Sequence, residues 1–197
     1  MNIVTSIPII PKLDTLSLAI EGLKEIGKII FTMAKIIGVL KPEMDMQEIG
    51  DKALQAEAAG ITPEKYDTYS EYVAEIERFP VDQEKSQKIS EELKEIKGVE
   101  IAVSLMVEKF AETPIVSFIE SIINNPEFFS TGKIEAISEK INEDKDFITD
   151  FVGYISNTEK NAEKINSISE FLIGVEKNVH PEISDKDAYK QIMQLRR

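Results

Sequence analysis

Catalysis draws on a short set of side chains, and this chain holds few of them: one histidine, no cysteine and no tryptophan stand beside 36 acidic residues. The lack of cysteine removes disulfides, thiolate nucleophiles, zinc fingers and iron–sulfur ligation together. A Ser-His-Asp triad would have to recruit His180, and no G-x-S-x-G elbow accompanies it. A carboxylate-bridged di-iron bundle takes two Glu-x-x-His motifs, which a single imidazole cannot supply. Glu176 lies four residues before His180, a spacing that puts both on one helical face. His180 also precedes Pro181 at an expected helix exit, where an imidazole meets the exposed carbonyls of the last turn.

Two motif fragments fail on their missing positions. Gly22 to Lys28 reads G-x-x-x-x-G-K, but Ile29 stands where a P-loop needs Ser or Thr for magnesium, and the segment lies inside an amphipathic helix. Asn142, Asp144, Asp146 and Asp150 match positions 1, 3, 5 and 9 of a calcium loop. Phe147 replaces the glycine of its turn and Gly153 the closing glutamate, so a solvated turn capping a helix is expected. Paired carboxylates remain open as a hydrolase chemistry, because sequence spacing does not show which acids converge. No catalytic, cofactor-binding or metal-ligating residue is assigned. The candidate interaction surface is Tyr66, Tyr69 and Tyr72, expected on one helix with Val73, Ile76 and Phe79, since tyrosine joins a rigid apolar ring to a polar tip. The terminal Arg196 and Arg197 suit the negative end of the last helix.

The elements that would position these residues are nearly all helical. Apolar residues recur at spacings of three and four along the chain, and strand patterns are scarce, with room for no more than a short hairpin near residues 1–10. Pro42, Pro63, Pro80, Pro114, Pro126 and Pro181 are expected at helix starts, where a missing N–H costs nothing. Thr62, Thr113 and Asn125 are expected N-caps, and Ser184 with Asp187 forms an S-x-x-D cap. The resulting helical segments are 13–40, 43–59, 63–78, 82–97, 99–112, 114–124, 133–142, 145–156, 158–179 and 185–195, with one seam of apolar residues running across Gly98. No Pro-, Gly- or Ser-rich linker divides the chain. The expected fold is all-α: an irregular multi-helix bundle in one domain over 1–197, with a sub-bundle over 1–80 as the alternative. At its centre stands an apolar helix near residues 13–40, whose seams make a face too wide for a surface helix.

Charge narrows the function further. The net charge is −13, and the field that draws proteins to nucleic-acid phosphates is absent. The amino terminus lacks the basic start of a secretory signal, Pro8 and Pro11 interrupt its apolar run, and no uncharged stretch approaches the ~20 residues of a membrane span. A cytoplasmic protein is expected, in the host cytoplasm if the gene is viral. The leading expectation is a non-catalytic acidic protein without cofactor that binds a protein with a basic surface, as an inhibitor, immunity-type antidote, chaperone or assembly component. The alternatives are a membrane-surface protein using helix 13–40, with Lys24, Lys28 and Lys35 on its polar face, and a carboxylate-based hydrolase.

Overall fold

The computed structural model describes residues 20–196, with side chains from residue 24 onward. The expected hairpin over 1–10 and the start of the first helix at 13–19 lie outside the described residues. Among those described there are ten α-helices and no strand: α1 (Ile20–Ile36), α2 (Met46–Ala58), α3 (Tyr69–Arg78), α4 (Gln83–Ser86), α5 (Glu91–Lys109), α6 (Ile115–Asn124), α7 (Thr131–Glu143), α8 (Phe147–Ile155), α9 (Ala162–Val179) and α10 (Asp185–Leu195). The fold is all-α, as the periodicity requires.

Side-chain caps set where six of the described helices begin, and only α6 starts directly at a proline. Asp45 accepts hydrogen bonds from Gln47 and Glu48 N–H and starts α2, so Pro42 stands in the preceding loop. Thr68, Asp82, Ser90, Asn161 and Ser184 cap α3, α4, α5, α9 and α10 in the same way. Of the six prolines, Pro63 opens a single 3-10 turn and Pro114 caps α6, while Pro80, Pro126 and Pro181 fall between helices. Asn125, expected as an N-cap, closes α6 instead. The Ser184–Asp187 box is present as the sequence indicates: Ser184 Oγ accepts from Asp187 N–H at 3.1 Å and donates to its carboxylate at 2.7 Å. The first helix stops short of residue 40 because Gly38, at φ +72°, lets Val39 and Gly38 N–H turn back to the Ala34 and Lys35 carbonyls.

The described part of α1 is the spine of the molecule. It packs against α5 on one side and against α7, with a smaller contact to α6, on the other. Ile29, Ile30, Phe31, Met33, Ala34 and Ile37 are buried, and Leu40 follows them into the core beyond the helix end. From Ile29 to Leu40 the wide apolar face is covered by protein. The buried apolar residues form one continuous cluster reaching from Ile29 to Leu195. In its second half Phe118, Phe129, Phe147 and Phe151 stack at 5.0–6.3 Å between centroids, and each such ring contributes ~1.5–3 kcal/mol by leaving water.

Candidate functional site

Three clusters of charged side chains lie between the helices. In the first, α2 turns Asp51 toward α4 and α5. Its carboxylate accepts from Gln55 Nε2 at 2.8 Å and from Ser86 Oγ, and pairs with Lys94 at 3.1 Å. Burial alone would push this carboxyl up, but the Ser86, Gln55 and Lys94 hydrogen bonds outweigh it and hold the group below its ordinary value. Gln55 also bonds Asp82 backbone in both directions, so the cluster ties the α3–α4 connection to α2.

The second cluster takes in the three tyrosines. Tyr72 is fully buried and Tyr69 is 7% exposed, so these rings are packed inside and do not form an open face. Their centroids are 5.3 Å apart, and the Tyr72 hydroxyl donates to Glu57 Oε1 at 2.8 Å. Tyr66 is half-buried and stands before the Thr68 cap, so the three do not share one helix. Glu57 also pairs with Lys97 of α5 at 2.7 Å, and Lys97 with Glu100 at 3.0 Å. Burial would lower the Lys97 ammonium, and its two carboxylates reverse that and raise it. Burial and, for Tyr72, the bond to Glu57 push the phenols of Tyr69 and Tyr72 far up, so both stay protonated.

The third cluster contains the histidine. Lys133 of α7 and Glu176 of α9, both buried, meet at 2.5 Å, with the ammonium 4.4 Å from the centre of the Phe128 ring. The Gln191 amide of α10 donates to both Glu176 oxygens, at 3.0 and 3.2 Å, once its nitrogen faces them. His180 stands at the end of α9, as its place before Pro181 indicates, but it is its backbone N–H that donates to the Glu176 carbonyl, and the imidazole, expected on the exposed carbonyls, lies beside carboxylates instead. Its ring nitrogens lie 3.8 Å from Glu176 Oε1 and 3.7 Å from Glu182 Oε1, close enough for charge but too far for hydrogen bonds.

The residues of the calcium-loop fragment go to separate partners. Asn142 donates to the Ile36 carbonyl of α1 at 2.8 Å, Asp144 caps Asp146 N–H at 3.1 Å, and Asp150 pairs with Lys164 at 2.6 Å. No group of three or more candidate metal ligands occurs among the described residues. The P-loop-like segment runs through α1, where Lys28 pairs with Glu25 at 2.7 Å. Arg196 does serve a helix end, but that of α8: it donates to the Tyr154 carbonyl at 3.2 Å and to Asn157 at 2.8 Å, with its guanidinium over the Tyr154 ring.

Two open clefts lie on the surface of the described residues. One, of about 260 Å³, lies among α7, α8 and α9 and is lined by Asp144, Asp150, Glu163, Lys140 and Lys164 over Phe147 and Phe171. The other, of about 460 Å³, lies between the α1–α2 loop and α3, over Leu40, Val73 and Leu105, with the Lys41–Glu77 ion pair at its edge. Among the described residues the four carboxyls displaced from their ordinary range, Asp51, Glu64, Glu159 and Asp187, are all displaced downward, opposite to what a general acid requires. The interhelical clusters left no sign in the sequence beyond charges set inside apolar seams, as Lys133 and Lys97 are. No family model, curated protein or solved structure matches the chain.

Proposed function

We propose that this protein is not an enzyme and works by binding another protein, one that presents a basic surface. One observation carries the reading: each buried charged side chain, Asp51, Lys97, Lys133 and Glu176, is closed by an opposite charge from another helix, and none of them lines either cleft. The desolvated groups that catalysis would draw on are occupied in holding helices together. What meets solvent is an excess of carboxylates on a chain of net charge −13, which speeds encounter with a basic partner and repels acidic ones. The apolar face of α1 that a membrane-surface reading would use is buried over Ile29–Ile37, and no helix among the described residues is long and apolar enough to cross a membrane. A cytoplasmic setting belongs to the proposal and rests on the sequence. Roles as inhibitor, antidote, chaperone or assembly component all fit it, and the neighbouring genes discriminate among them.

The test is capture of partners from the native host, identification by mass spectrometry, and titration of the purified pair at several salt concentrations. A basic partner whose affinity falls at least about tenfold between low and high salt supports the proposal. Turnover of a small molecule by the pure protein, or a salt-insensitive complex, overturns it.

A further inference from the structure

The apolar seam that α5 carries across Gly98 is covered along only part of its length. Val103 and Phe110 are buried and Val107 packs against the core, whereas Leu93 and Ile96, toward the start of the helix, are 53% and 41% exposed. Three residues apart, they share one helix face and form a patch rather than two scattered side chains.

α1 begins beside this patch. Lys24 pairs with Glu95 at 3.2 Å, a Cβ on Gly27 would meet Val99 at 3.0 Å, and Lys109 donates to the Ile37 carbonyl, so α1 and α5 run in the same direction with their contacts in step. One turn back from the Lys24–Glu95 pair, the backbone of Ile20 stands at the first turn of α5, which Glu91 opens. Ile96 follows Glu95 and lies three residues before Val99, so the open patch borders the stripe of α5 that faces α1.

The chain that leads into α1 at this point, residues 1–19, lies outside the described residues. Its first part, residues 1–11, is the longest run in the sequence without a charged side chain, and it carries Ile3, Val4, Ile7, Ile9 and Ile10. Pro8 and Pro11 bar a helix that would carry these residues onward along the axis of α1. Reach is ample: the nine residues before Ile20 span up to ~30 Å when extended, against the ~8–10 Å between the axes of packed helices.

We infer that residues 3–10 fold back over Leu93 and Ile96 of the same chain and close the seam of α5. Docking takes apolar surface of both the segment and the patch out of water. The patch is small, but the covalent tether holds the segment at an effective concentration on the order of mM, which a free partner in dilute solution does not reach.

A nitroxide on Ser6→Cys tests this in the full chain, because that thiol is alone in a sequence without cysteine. The methyl signals of Leu93 and Ile96 should be lost to paramagnetic broadening, while the Met193 methyl on α10, which packs on α9, stays sharp. Adding Ile7→Asp and Ile10→Asp, with circular dichroism melts showing the fold intact, should restore both signals. Leu93 and Ile96 affected no more than Met193, or signals that stay lost in the folded Asp variant, overturn the inference. A loss that arises only when spin-labelled protein is mixed with isotope-enriched protein lacking the label also overturns it, since the occupant would then be a second copy.

Discussion

Gly50 and Gly98 face each other where α2 crosses α5, so closely that a Cβ on Gly50 would stand 1.9 Å from the Lys94 carbonyl oxygen and one on Gly98 2.2 Å from that of Met46. Both obstacles are backbone, which cannot swing aside. Gly98 therefore sits within one unbroken helix because α2 needs the room, and the same crossing brings Asp51 within reach of Lys94.

Alanine at either glycine should lower stability by at least about 2 kcal/mol, since overpacking at a rigid contact outweighs the ~1 kcal/mol that alanine gains in helix propensity. Gly174 is the control: it is exposed on α9 with nothing within 4 Å of an added Cβ, so Gly174→Ala should stabilise by ~0.5–1 kcal/mol. Urea midpoints of the three variants read the contrast.

Ile30 and Ile37 are 3% and 1% exposed. Replacing either by Asp buries a carboxylate with no partner, a cost of several kcal/mol against a total stability of ~5–15. Thermal melts should show both variants unfolded or close to it. An unchanged midpoint for Ile30→Asp would mean that α1 is not the spine.

The Lys133–Glu176 pair should show strong coupling. Lys133→Met or Glu176→Gln alone leaves one buried group without its partner and should cost about 3–5 kcal/mol. The double variant Lys133→Met/Glu176→Gln should lose far less than the sum. A double-mutant cycle measured by denaturant unfolding gives the coupling directly.

Asp51 titrates below its ordinary value in the folded protein, so its contribution is fully present above the unfolded carboxyl range near ~3.9 and is lost as pH falls through the lower folded value. Lys97 has the opposite sign: raised in the fold, it stabilises below the ordinary lysine range and stops doing so as pH climbs through the folded value. Unfolding midpoints against pH should therefore show a steeper acid limb in the wild type than in Asp51→Asn. In base, absorbance titration should detect no ionisation of Tyr69 and Tyr72 until the protein unfolds.

What was legible in the sequence was local. The unbroken helix across Gly98, the Ser184–Asp187 cap, the burial of Ile30 and the place of His180 at a helix end each follow from residues within two turns of one another, although Leu93 and Ile96 of the expected seam are exposed. The prolines do not mark these starts because Pro42, Pro80 and Pro181 break chain upstream of the side chains that cap the next helix, Asp45, Asp82 and Ser184. Thr68 captured the start of α3 and left Tyr66 behind. The contacts that tie the helices together were not legible: Lys133 meets Glu176, and Tyr72 meets Glu57, only through the crossing of helices, and no spacing rule encodes such a crossing.

The position of α1 between α5 and α7 bears on how the molecule is made. This helix is complete at Ile36, while α7, which covers one flank of it, is completed only at Glu143, roughly a hundred residues later. At ~5–20 residues per second, that flank waits on the order of 10 s for its cover. During that interval Ile29, Ile30 and Met33 are the kind of surface that holding chaperones bind, so synthesis is the stage at which this chain is most exposed to aggregation.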